Sequence, residues 1–558
     1  MPAPGGHGWQ VVDAGREPVL RHVACLRRQR NFIASPLFRL PTELILKIYM
    51  HAVDDDDLRW LALTAICHQL RKTFISSPRL WGVVDFRFAR LAKLFLERCN
   101  FDPHLISVTD SKYVPCTDVE REELWEELDG RTLNNLRFLL FTGSEMEFNG
   151  RVVVLLRMAP NLSSLELNTC SGDAWELELP LGDQLPHLSM LGLTSVQISW
   201  HSPLLRNLTQ FVLDLTWIRT PGDTFTPIET FLGALANCPD LKRLRLISAE
   251  PILPDGDQDD CEMVVRLRRL ENLVLQFGDH RVAGCILSHI WFPQSTKVWV
   301  DARYDTDLPV ALSQIVPRPD TETLQNLRRS KTVSIDMSTT YNLTADNFRF
   351  SLRPPDRDHE AIEDPETLRR FASRIVEIIG GETVINLDVR FGLSFELPFG
   401  TWRELFCGFR RLERISYLGY LSTPRNFVDP FCWALYEPFE EAPVCPCLWD
   451  LRIPSGFSQG LSAVFLKFAL DERCASGRRL RRISLTSWSK EEEKLVLKYF
   501  SDVVDEVSRP QDPRPHFPSF VSDTTAVTRW QIINTPFCVV RGYQSILSEF
   551  FLPHGLRS

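Results

Sequence analysis

The stretch "NLSSLELNTC", residues 161–170, decides the fold. Its leucines stand at Leu162, Leu165 and Leu167, the spacing L-x-x-L-x-L. In an extended segment alternate side chains go to opposite faces, so Leu165 and Leu167 share one face and Glu166 takes the other. Close variants recur with first leucines at Leu136, Leu162, Leu188, Leu208, Leu241 and Leu270, at intervals of 26, 26, 20, 33 and 29 residues. Looser copies follow at Val333-Ser-Ile335, Val384 to Val389, Leu412 to Ile415, Leu448 to Ile453 and Leu480 to Leu485. One such unit cannot bury its own apolar side, but stacked neighbours can.

The intervening segments read as helices. Residues 366–381 give the clearest pattern, with Leu368, Phe371, Ala372, Ile375 and Ile379 on one face and Gly380-Gly381 as the stop. The array resembles leucine-rich repeats, whose period is about 20–29 residues. The resemblance implies an α/β fold: an irregular, curved solenoid of strand–helix repeats over residues 131–490, its parallel strands on the concave side, without long antiparallel hairpins. Pro-rich, acidic stretches at 251–261 and 353–366 interrupt it as loops. A further interruption, 421–447, carries Phe427, Phe431, Trp433, Tyr436 and Phe439, which either anchor a partner or fold inward.

A different module precedes the array. In residues 36–86, Pro41 sits where a helix tolerates it, and Leu44, Ile45, Ile48, Tyr49 and Ala52 follow at helical spacing. Asp54 to Asp57 then make a solvated loop and cap the next helix. That helix carries Trp60, Leu63, Ile66, Cys67 and Leu70 on one side, and a short third segment ends at Pro78-Arg-Leu80-Trp81. Leu40-Pro41, Glu43-Leu44, Ile48, Leu63, Ile66-Cys67 and the closing Pro78, Leu80 and Trp81 resemble an F-box, a three-helix unit. The family usually has an aromatic residue where this chain has Leu70. "PNL", "PDL" and "RRL" before the strands are similar to the divergent repeats of fungal F-box proteins.

The resemblance implies a protein that docks a Skp-type adaptor, and through it a cullin–RING ubiquitin ligase, while the repeats hold a protein substrate. Adaptor contacts are then expected at Leu40, Pro41, Leu44, Ile48, Leu63, Ile66 and Cys67. Such a receptor needs no active site and no cofactor. A scaffold that uses the adaptor without ligation is an alternative. Flanking the modules, residues 1–35 are expected as a disordered basic arm, 87–130 as a helical linker, and 491–558 as a C-terminal helix and cap, the helix face being Leu495, Tyr499, Phe500, Val503, Val504 and Val507.

Composition limits the other classes. The chain has 558 residues and a net charge of −9, which argues against nucleic acid as the main partner. No apolar run reaches membrane-spanning length, and no secretory signal precedes the first module, so the expected compartment is cytoplasm or nucleus. Fourteen cysteines stand without C-x-x-C pairs. The tightest group, Cys445 and Cys447 with Cys432 and Cys407 upstream, has no nearby histidine and is not expected to bind zinc. Gly456-Phe-Ser458-Gln-Gly460 matches the G-x-S-x-G nucleophile elbow of serine hydrolases. Asp505 or Asp512 with His516 or His554 would complete a triad in the right order. However, Pro454 and Ser455 separate the preceding strand from the turn, and Asp450 and Arg452 mark that strand as open to solvent on one face.

Overall fold

The computed structural model describes residues 8–34, 36–52, 68–109, 118–129, 131–145, 148–169, 175–177, 185–216, 227–253, 263–304, 308–316, 324, 327–337, 340–353, 365–391, 397–418, 430–436, 444–453, 461–485, 494 and 497–508. The chain divides into two units. The first takes residues up to His104, Val119–Leu128 and the stretch from Arg514; the second takes Leu105–Asp118 and Asp129–Pro513.

The second unit is mixed α/β with a large, mostly parallel sheet. Each L-x-x-L-x-L unit forms a strand, and successive strands pair in register. Leu165 lies opposite Leu191, Leu191 opposite Phe211, Phe211 opposite Leu244, and Leu244 opposite Leu273. Leu167, Leu193, Leu213, Leu246 and Leu275 make a second column. All these side chains are buried. Full burial of one such side chain contributes about 1.5–3 kcal/mol, so the columns are the core of the unit.

The sheet is longer than the sequence pattern marks. It includes Leu105–Thr109, inside the expected helical linker, which pairs in parallel with Phe138–Thr142. It also includes Val504–Ser508, inside the expected C-terminal helix, which pairs in parallel with Leu480–Leu485. Val504–Ser508 pairs with no other described strand, and the sheet does not close on itself.

The array also contains the antiparallel element the sequence argued against. Thr332–Met337, Tyr341–Ala345 and Phe348–Arg353 form an antiparallel meander. It is inserted backwards: Phe348–Arg353 pairs with Lys297–Arg303, and Thr332–Met337 pairs with Asn386–Phe391, both in parallel. Two reversals cancel, so the strands on either side keep one direction. The tight turn is set by Asp346 at φ 43°, whose carboxylate accepts the backbone N–H groups of Lys331 (2.9 Å) and Thr332 (3.3 Å).

Helices pack behind the strands. Pro365–Ile379 buries Leu368, Phe371, Ala372, Ile375 and Ile379, the expected face, and Gly380 ends it at φ 81°. It lies close to the helix Phe399–Gly408: a Cβ at Gly408 would stand 2.3 Å from a methyl of Val376. The aromatics of 421–447 divide. Phe431 is fully buried, its ring 5.0 Å from Trp402 and 5.2 Å from Tyr417. Trp433 stays exposed beside Phe465 at 4.8 Å. Phe427 and Phe439 lie outside the described residues.

In the first unit, Gly8–Ala34 is one helix of 27 residues, where a disordered arm was expected. It is followed by the helices Thr42–Ala52, His68–Ile75 and Ala89–Arg98. Trp81 anchors this unit. It is buried, donates its indole N–H to the Phe74 carbonyl at 2.9 Å, and meets Phe95 edge-on at 4.9 Å. The Arg98 guanidinium lies 4.3 Å from its ring centre. Among the described residues, no helix is long and apolar enough to cross a membrane.

Candidate functional site

The helix Thr42–Ala52 begins right after Pro41, whose carbonyl accepts the N–H groups of Leu44 (3.0 Å) and Ile45 (3.1 Å). Glu43 places a carboxylate in the first turn, where the helix dipole is positive. Sequence spacing puts Leu44, Ile45 and Ile48 on one apolar stripe. In the structure that stripe divides. Ile45 turns inward and is 5% exposed, while Leu44 and Ile48, one turn apart, are 45% and 51% exposed. Leu40 is half-buried and Pro41 exposed. Leu63, Ile66 and Cys67 lie outside the described residues. Leu70, in place of the expected aromatic, is buried on His68–Ile75 with Phe74.

Sequence reasoning missed a second exposed apolar run. Val19, Val23, Leu26 and Ile33 recur at helical spacing on Gly8–Ala34, and all are exposed. The arginines interleaved with them masked the i, i+4, i+7 signal.

The outward face of the sheet is polar and mixed in charge. Trp299 and Arg349 stand directly opposite on neighbouring strands, with the guanidinium 5.3 Å from the ring centre. Further along, the buried Asp450 carboxylate is held between two arginines. Arg414 Nε reaches it at 2.7 Å, and Arg482 donates two hydrogen bonds at 2.7 and 3.1 Å. The hydrogen bond to Asp450 also holds the Arg482 guanidinium above its ordinary pKa. Both guanidiniums lie 5.7 Å from the Trp449 ring centre. Asp450 therefore does not mark an open solvent face, as its place in the sequence suggested; arginines cover it.

Of the hydrolase candidates, the structure describes Asp505 alone. Ser458 lies outside the described residues, as do Asp512, His516 and His554. Asp505 pairs with Arg479 at 2.9 Å. Of the cysteine group, Cys432 and Cys445 are buried, and Cys407 and Cys447 exposed. Burial pushes the Cys445 thiol up to about 12, which makes it a poor nucleophile and a poor metal ligand at neutral pH. Among the described residues, no group of three or more His, Cys, Asp or Glu is placed to hold a metal. No family model matches the chain, and no curated protein matches its sequence.

Proposed function

We propose that the chain is a substrate-receptor subunit of a Skp–cullin–F-box ubiquitin ligase. The observation that carries this reading is the divided stripe on Thr42–Ala52: Ile45 is buried, while Leu44 and Ile48 face solvent one turn apart. An apolar helix face left uncovered fits a partner's groove, and Leu44 and Ile48 are spaced as i, i+4 anchors. The order Leu40-Pro41, Leu44, Ile48, then Pro78, Leu80 and Trp81 is the F-box order. In the second unit, strands that follow one another in register, each bearing two buried leucine-type side chains, support a leucine-rich-repeat solenoid. Its polar outward face would hold the protein substrate. Catalysis would belong to other subunits.

Capture of a Skp-type adaptor by the full chain tests the reading. Wild type should retain the adaptor, and Leu44→Asp and Ile48→Asp should lose it while their melting curves stay unchanged. Loss of a client's turnover in the same variants separates a receptor from a scaffold. If wild type ignores every adaptor of this type, the proposal fails.

A further inference from the structure

The turns that lead into the strands form one continuous edge of the second unit. Backbone hydrogen bonds join them rung by rung: Ser163 to Arg137, Ser189 to Ser163, Thr209 to Ser189, Lys242 to Thr209 and Glu271 to Lys242, at 2.7–2.9 Å. Beyond the meander the column runs Lys331, Ile385, Glu413, Trp449 and Arg481, at 2.9–3.0 Å. Asp346 and Asn347, in the turn of the meander, link the halves: Asp346 accepts from Lys331, and the Asn347 carbonyl accepts from Val298. Neighbouring rungs in a sheet stand about 4.8 Å apart.

This edge is basic, although the chain carries a net charge of −9. Arg206, Lys242, Arg268, Lys331, Arg411 and Arg481 lie on these turns and are exposed. None of the six side chains has an ion pair or hydrogen bond among the described residues. Where a cation does have a partner here, the partner is local, as in Arg269–Asp240 at 3.2 Å. Cations also favour helix C-termini, and several of these turns follow helices. That effect fades within the last turn. Lys242 and Arg481 stand several residues beyond the helices Ile228–Ala236 and Leu461–Ala475, so compensation of the dipole does not account for them.

We propose that this edge binds an extended, Asp- and Glu-rich segment of another polypeptide. Two observations favour a polypeptide over nucleic acid. Carboxylates punctuate the column at Asp240, Glu271, Glu382 and Glu413, which an evenly charged phosphate chain would meet in repulsion. Single-stranded nucleic acid also wants aromatic platforms for its bases. The one aromatic rung in the column, Trp449, already has two guanidiniums beside its ring. The edge acts independently of adaptor docking, which Leu44→Asp reads separately.

The test is fluorescence anisotropy of the full chain with a short labelled acidic peptide whose glutamates are spaced by serines and glycines. Wild type should bind it, and the affinity should fall steeply between about 50 and 200 mM salt, as contacts between charges do. The triple variant Lys331→Glu, Arg411→Glu, Arg481→Glu should bind at least about tenfold more weakly. The same charge change on the first unit (Arg27→Glu, Arg30→Glu, Arg90→Glu) should cost less than about twofold. Lys331→Gln, Arg411→Gln, Arg481→Gln, with an unchanged melting curve, should also weaken binding and excludes unfolding as the cause. Three results overturn the proposal: no binding by wild type at low salt, equal loss in the two Glu triples, or tighter binding of a labelled oligothymidylate than of the spaced acidic peptide.

Discussion

Leu44 and Ile48 in the first unit and Leu244 and Leu275 in the second are the same kind of side chain in opposite situations. The ladder leucines have a strand on each side and a core beneath, and are buried. The helix residues share a short element with buried Ile45, yet about half of each stays in water. The residue types alone do not decide the difference. A strand in a repeat is covered by the next repeat, whereas a helix face is covered only if something is supplied to cover it. Exposure is therefore informative in the first unit, and burial is merely expected in the second.

Mutations can break or sharpen that contrast. The largest effect is expected for Leu275→Ala, which opens a cavity in the middle of the ladder. It should destabilise the second unit by about 2–5 kcal/mol, read by chemical denaturation. Next is Asp450→Ala, which leaves Arg414 and Arg482 side by side without their shared acceptor. A loss of about 1–3 kcal/mol is expected, and Asp450→Asn should recover part of it by still accepting hydrogen bonds. Smaller again is Asp279→Ala. Asp279 caps the helix His280–His289, accepting the Arg281 N–H at 2.8 Å, and its loss should cost about 1 kcal/mol. Burial alone would raise this carboxyl's pKa, but the hydrogen bonds and charge of Arg281 outweigh burial and bring it below the ordinary 3.8. A depressed carboxylate pKa stabilises the fold above the unfolded value. The contribution of Asp279 should persist above pH 3.8 and disappear as pH falls through the lower folded value, so wild type and Asp279→Ala should converge there. The smallest change in stability is expected for Leu44→Asp, within about 0.5 kcal/mol, because the side chain already meets water. A large loss from Leu44→Asp would mean that the first unit, like the second, spends its leucines on its own core.

How much was legible follows the same division. The leucine columns could be read because a two-residue alternation inside a repeat of 20–33 residues fits little besides stacked strands. The helix over 365–379 could be read for its apolar face and its Gly380 stop. The meander was hidden because neither Tyr341–Ala345 nor Phe348–Arg353 carries the L-x-x-L-x-L spacing, and a two-residue turn at Asp346-Asn347 is a weaker signal than Asn-Gly. Val504–Ser508 was hidden because Val503, Val504 and Val507 also continue the helical spacing of Leu495, Tyr499 and Phe500, and a short apolar run fits either period. At the candidate site, helical spacing placed Leu44 and Ile48 on an element but did not say which of the stripe's members would face inward. That depends on what packs against the helix, which spacing along a single element does not record.

The strand Val504–Ser508 has a consequence for self-association. Among the described strands it is the last rung of the sheet, and a last rung has backbone donors and acceptors that invite the same rung of another molecule. Asp505 and Glu506 are both exposed there and point to opposite sides of the strand; Asp505 is paired with Arg479, and a second copy approaching edge to edge would meet its own like charge at Glu506. Glu506 thus acts as a gatekeeper against polymerisation, built into the last rung, which has no leucine column beyond it among the described strands.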